Sequence, residues 1–214
     1  MPTTPNMELA TALVSSLPAG HPALFNPWHD FCPGDTALNG ASERLMRLAL
    51  HLACKPKVIV VGEASGYQGM RRSALAFTSE FQLVNGMVPR IPAPAGRLTE
   101  RRLPYKEPSA TIVWRTLREL GIEEKAILWN ALPLHPFKPG KNDSNRTPTH
   151  EELILGGDAM RMLVEAFPRA KVVAVGRSSE KLLGLLGVKS AGQVRHPANG
   201  GATKFAEGMR ELLA

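Results

Sequence analysis

Three short apolar runs punctuate the chain: Lys57-Val58-Ile59-Val60-Val61-Gly62, Ala126-Ile127-Leu128-Trp129 and Lys171-Val172-Val173-Ala174-Val175-Gly176. Each is apolar at consecutive positions, so both faces of an extended chain would be buried, and each is too short for a buried helix. That form predicts interior strands of a parallel sheet. Gly192-Gln193-Val194-Arg195 predicts a fourth, weaker strand. Between the runs the pattern turns helical. Leu45, Leu48, Ala49 and Leu52 form one stripe of a helix over 42–54, and Ile112, Val113, Thr116, Leu117 and Leu120 form one face of a helix over 109–120. Ser79 is followed three residues on by Gln82, and Thr149 by Glu152, the spacing of a capping box. Helices are therefore expected over 79–87 and 149–167, the second keeping Leu153, Ile154, Met160, Leu163, Val164 and Phe167 in one period. Further helices are expected over 7–17, 178–186 and 202–213. Strands alternating with helices imply an α/β domain with a parallel sheet covered on both faces.

Two stretches interrupt the pattern. Residues 18–40 carry Pro18, Gly20, Pro22, Pro27, Pro33, Gly34 and Gly40 and read as a wrapping loop. The chain thus divides into an N-terminal wrapping segment, 1–41, and an α/β domain, 42–214. Residues 89–109 hold five prolines and five basic residues. A loop of this length is functional or mobile, or else a solvated insertion.

Composition narrows the class. With 214 residues, 43% of them hydrophobic, the chain can bury one sizeable core, which excludes a disordered protein. The longest apolar runs fall far below a membrane span of roughly 20 residues. Met1 is followed by Pro2, Thr3, Thr4 and Pro5, with no basic segment typical of a secretory signal, so a cytoplasmic location is expected. Twenty-six Lys and Arg against nineteen Asp and Glu give +7. That surplus suits a polyanionic partner such as nucleic acid, or equally a mildly basic enzyme. Cys32 and Cys54 are too few for a four-thiolate site and read as reduced thiols.

Ligands of open parallel sheets bind outside the carboxyl ends of the strands. Here those ends lead into Gly62-Glu63-Ala64-Ser65-Gly66, Asn130, Gly176-Arg177-Ser178 and Arg195-His196-Pro197-Ala198-Asn199-Gly200-Gly201. A Gly-rich loop, a carboxylate, an amide and an imidazole would converge on one edge. Taken singly, each has an ordinary explanation: a tight turn, a salt-bridging Glu, an Asn satisfying a strand end, a surface His. The glycine spacing is neither the dinucleotide fingerprint nor a phosphate loop, and no His pairs at i, i+4 as in a zinc helix.

Taken together, these residues resemble the uracil-DNA glycosylase family. Gly62-Glu63-Ala64-Ser65-Gly66 is similar to the family's G-E-A-P-G motif. Phe77 in Ala76-Phe77-Thr78 stands where the family has a proline-phenylalanine pair before a helix. Asn130, with Asn145-Arg146-Thr147-Pro148-Thr149 and Glu151-Glu152 downstream, resembles the second-strand motif and its tail. His196-Pro197-Ala198 resembles the C-terminal motif. The resemblance implies a three-layer α/β/α sandwich around a four-stranded parallel sheet. It also implies a DNA glycosylase that flips uracil or another deaminated base out of the duplex and hydrolyses its N-glycosidic bond. Gly62, Ala64 and Gly66 would line the base pocket and Phe77 would stack on the base. Asn130 would read N3–H and O4 with its paired acceptor and donor. A neutral His196, kept so by nearby cations, would donate to O2 as charge develops there. Glu63 would position water or stabilise the cationic sugar, and Arg71, Arg72, Arg146, Arg195 and Asn199 would meet the DNA backbone.

Several positions depart from the family pattern. Ala64 stands where the best-known branch has its water-activating aspartate. Ser65 replaces the motif proline, and Gly66 replaces a tyrosine that excludes the thymine methyl. Leu134 stands where the branch with this motif places a cysteine of its iron–sulphur cluster, so no cluster, cofactor or metal is expected. The turn Asn199-Gly200-Gly201 lacks a large apolar wedge, which favours single-stranded substrates. DNA is the expected partner and a monomer the expected state. Two other readings remain at this stage: a catalytically weak or inactive member acting as a nucleic-acid-binding module, and a small-nucleotide enzyme.

Overall fold

The computed structural model describes residues 6–214. The chain enters through α1 (Met7–Ser15), a short strand β1 (Leu24–Phe25) and α2 (Ala41–Leu52) before β2 (Val58–Ala64). Then come α3 (Met70–Ser73), α4 (Glu80–Val84), α5 (Pro108–Glu119), β3 (Ala126–Leu132) and β4 (His135–Pro136). The chain ends in α6 (His150–Ile154), α7 (Gly157–Ala166), β5 (Lys171–Val175), α8 (Arg177–Leu185), β6 (Gly192–Val194) and α9 (Ala202–Leu213).

The four predicted strands form one parallel sheet in the order β3-β2-β5-β6. β2 lies in the interior of the sheet, and Val58, Ile59, Val60 and Val61 have no exposed surface. The continuous apolar run is thus accounted for by helix layers on both faces: α1 packs with α2 and α7, and α5 with α9. The architecture is a three-layer α/β/α sandwich. Both capping boxes form, Ser79 with Gln82 and Thr149 with Glu152.

The expected helix over 149–167 is two helices. Its break lies at Gly156, where the backbone runs against β3: a methyl group there would overlap the Ala131 carbonyl oxygen and sit 3.1 Å from Pro133 Cδ. Periodicity missed the break because the apolar stripe resumes on the far side, with Met160 and Leu163 buried in α7.

The proline-rich stretch is no solvated insertion. Leu98 and Thr99 are buried. The Glu80 carboxylate fastens the stretch, accepting from the Leu98, Thr99 and Tyr105 amides, from Thr99 Oγ1 and from Arg97 Nε. Those bonds hold its carboxyl below the usual range although burial pushes the other way. The segment before α2 is tied down by arginines: Arg44 pairs with Asp35 and donates to the Pro27 carbonyl at 3.0 Å. β1 also pairs antiparallel with β4. No described helix is long and apolar enough to cross a membrane.

Candidate functional site

The parallel sheet points the carboxyl ends of all four strands one way. Gly62 of β2 and Asn130 of β3 are register partners, and Val194 pairs with Val175, so His196 follows β6 on the same side. These ends enclose a cavity of about 100 Å³, lined by Glu63 and Ala64 from β2, Phe77, Asn130 and His196. Its scale is that of a single ring: an apolar cavity of roughly 150 Å³ in another protein holds benzene.

Phe77 and Asn130 converge above Gly62. A methyl group on Gly62 would overlap Asn130 Oδ1 and lie 2.7 Å from Phe77 Cζ. Glycine is what lets both side chains pack against β2 there. Phe77 adopts φ +48°, a conformation rare for a bulky residue and costing on the order of 1–3 kcal/mol. Ala74, at φ +62°, ends α3 just before it. Asn130 is buried, and its Nδ2 donates to the Met70 thioether at 3.1 Å, a weak acceptor. The amide therefore retains hydrogen-bonding capacity inside the cavity.

His196 is held by the turn that follows it. The Ala198 amide donates to Nδ1 at 3.1 Å, which leaves the ring proton on Nε2. Burial is the largest influence on this imidazole and lowers its pKa, with Arg195 acting in the same direction and Glu63 opposing. Neutrality was expected from nearby cations; the main cause is desolvation. Gly201 closes the turn, since a methyl there would overlap the His196 carbonyl oxygen. The Phe77 and His196 rings lie 6.4 Å apart at 42°.

Glu63 and His196 also border a groove of about 590 Å³ outside the cavity, walled by Gly176, Ser178 and Arg177 with Gln193 and Arg195. Arg195 and Asn199 are exposed, and Asn199 sits at φ +53° beside Gly200 at the turn's tip. Arg71, Arg72 and Arg146 do not join them. Arg71 is buried, donates to His135 Nδ1 at 3.0 Å and lies over the Phe25 ring. Arg72 is buried against Cys32 and bonds Asp143 at 2.6 Å. Arg146 is gripped by both Glu152 oxygens at 2.6 Å and by backbone carbonyls. The expectation that these three contact DNA is corrected: their guanidinium groups knit loops to the domain.

Two cavity residues, Met70 and Glu107, were not anticipated. Glu107, the residue before α5, lines the cavity beside Gly66 and Met70 and makes no capping hydrogen bond to its own helix. The residue is half-buried, and burial pushes its pKa up. In the sequence it reads only as a residue preceding Pro108. Among the described residues no three His, Cys, Asp or Glu side chains group as a metal site, and Cys32 and Cys54 are free.

No family profile and no curated protein matches the chain. Among solved structures, the crystal structure of wild-type SMUG2 from Pedobacter heparinus is similar over 98% of this chain and 99% of that one, with a TM-score of 0.62 and 13% identity. At that identity the likeness is one of fold.

Proposed function

We propose that this protein is a DNA glycosylase that takes an everted uracil, or another deaminated base, into the cavity and hydrolyses its N-glycosidic bond. The observation that carries the reading is the meeting of Phe77, Asn130, His196 and Glu63, from four distant stretches, around one ring-sized cavity. The motif order in the sequence and the fold likeness to SMUG2 both support it.

In this mechanism Phe77 replaces the stacking the base loses on leaving the helix. Asn130 Oδ1 accepts from N3–H and Nδ2 donates to O4; cytosine offers the opposite pattern and would leave the buried amide unpaired. The C1′–N1 bond breaks with its electrons passing to the base. His196 Nε2–H donates to O2 and stabilises the base anion, with Nδ1 held as an acceptor by Ala198. Glu63, at the junction of cavity and groove, steadies the cationic sugar and accepts a proton from the water that adds to C1′. The departing base takes up a proton, leaving free base and an abasic site. Arg195, Asn199 and Arg177 flank the groove where the backbone would run.

Release of free base from single- and double-stranded oligonucleotides carrying uracil, hypoxanthine or xanthine tests this. Release of uracil is expected, falling about 10²–10³-fold in His196→Ala. Salt-dependent DNA binding without any release would favour the binding-module reading, which Ala64 also favours by supplying no second carboxylate on that loop.

A further inference from the structure

Two glutamates, Glu80 and Glu107, stand in opposite circumstances. Glu80 accepts from three backbone amides, a hydroxyl and an arginine. Among the described residues Glu107 has one hydrogen-bond partner, the Ser109 hydroxyl at 2.6 Å on Oε1. Its carboxyl makes no hydrogen bond to the amides of α5, which it could cap, and the residue lines the base cavity. The chain makes room for it there. A side chain at Gly69 would overlap Glu107 Oε2, and Gly66 leaves the neighbouring wall open, with Oε1 3.8 Å from where its Cβ would be. A structural carboxylate would be satisfied as Glu80 is. An underpartnered carboxyl facing a cavity is available for a ligand.

Its position along the wall follows from Asn130. The amide nitrogen of Asn130 lies toward Met70, and Met70 follows Gly69, against which Glu107 packs. Resting on the base-binding reading above, the base edge beyond Nδ2 is therefore the one that meets Glu107. In uracil that edge carries O4, and in hypoxanthine and xanthine it carries O6. The uracil and hypoxanthine oxygens stand where cytosine and adenine have an amino group, whereas xanthine's O6 is already present in guanine.

We infer that Glu107 is a specificity-determining residue that, as a neutral carboxylic acid, donates a hydrogen bond to the carbonyl oxygen that deamination of cytosine or adenine creates. Cytosine and adenine present N–H groups there and would leave the acid's proton without an acceptor. The titratable groups sharing the cavity wall are Glu63 from β2 and His196 from the loop after β6. Burial favours the neutral acid, while the Ser109 hydroxyl and the N-terminus of α5 oppose it. Once ionised, Glu107 would repel the carbonyl.

The test is uracil release from a single-stranded oligonucleotide across pH 5–10 for the wild type, Glu107→Gln and Glu107→Ala, with thermal melting as a folding check. Gln keeps a donor that does not titrate. The expected result is an alkaline decline in wild-type kcat/KM that is absent in Glu107→Gln. A fall of about tenfold in Glu107→Ala at neutral pH is also expected, the size of one lost hydrogen bond of roughly 1.4 kcal/mol. A wild-type decline that persists in Glu107→Gln, or full activity in Glu107→Ala, would overturn the inference while leaving the glycosylase reading intact. If the wild type releases no base, the glycosylase reading is what fails. Fluorescence anisotropy then still decides Glu107. Tighter binding of the uracil than the cytosine oligonucleotide, lost in Glu107→Ala, supports it; equal binding overturns it.

Discussion

At the scale of single residues, the cavity is defined by what glycine permits and what Phe77 endures. Gly62 has no positive φ, so alanine would fit its backbone; what it lacks is room, because Asn130 Oδ1 and Phe77 occupy the space. Gly62→Ala should therefore cost about 1–3 kcal/mol by overpacking. Base release should fall well beyond what the remaining folded fraction explains, which chemical denaturation and excision assays together would read. The buried histidines make a separate prediction. His51 has no exposed surface, accepts from the Leu128 amide at 2.9 Å, and burial pulls its pKa down to about 3. His135 accepts from Arg71 and donates to the Ser144 carbonyl at 2.8 Å, and burial lowers its pKa to about 4. In the unfolded chain both titrate near 6.5. Between that pH and about 4 the unfolded state binds more protons, so stability rises with pH through this window and is lost as pH falls. A pH series of denaturation midpoints should show the decline beginning near 6.5. A flat profile down to pH 5 would contradict the neutral assignments.

At the scale of elements, each predicted strand core is found, because a β-branched run closed by glycine has few alternatives in an α/β chain. The helix over 149–167 was misread because periodicity records which side is apolar and not how near the backbone passes to β3. Gly156→Ala places a methyl against the Ala131 carbonyl and should lower stability by about 1–3 kcal/mol, measurable by denaturant unfolding. An unchanged midpoint would mean α6 and α7 can shift away from β3 without cost. β1 and β4 were not legible, since two residues carry no alternation. Of the cavity, Glu63, Phe77, Asn130 and His196 were legible because they follow strands or sit in motifs. Glu107 was not, because nothing local distinguishes a residue that caps a helix from one that leaves it uncapped. The arginines were misassigned for a related reason. Sequence gives a cation's charge but not its counter-ion, and Asp143 and Glu152 reach Arg72 and Arg146 only in three dimensions.

At the scale of the whole molecule, Lys and Arg outnumber Asp and Glu by seven, and Arg195 and Arg177 border the groove that leads to the cavity. The central claim is that a nucleobase leaves its strand and enters this cavity. The most direct measurement is a crystal structure of the protein with an oligonucleotide carrying 2′-fluorinated deoxyuridine, whose glycosidic bond resists cleavage. The account predicts the uracil stacked on Phe77, its N3–H and O4 on Asn130, its O2 on His196, and the backbone along the Arg177–Arg195 groove. An oligonucleotide bound on another face, with the cavity empty and the uracil still stacked among its neighbours, would contradict it.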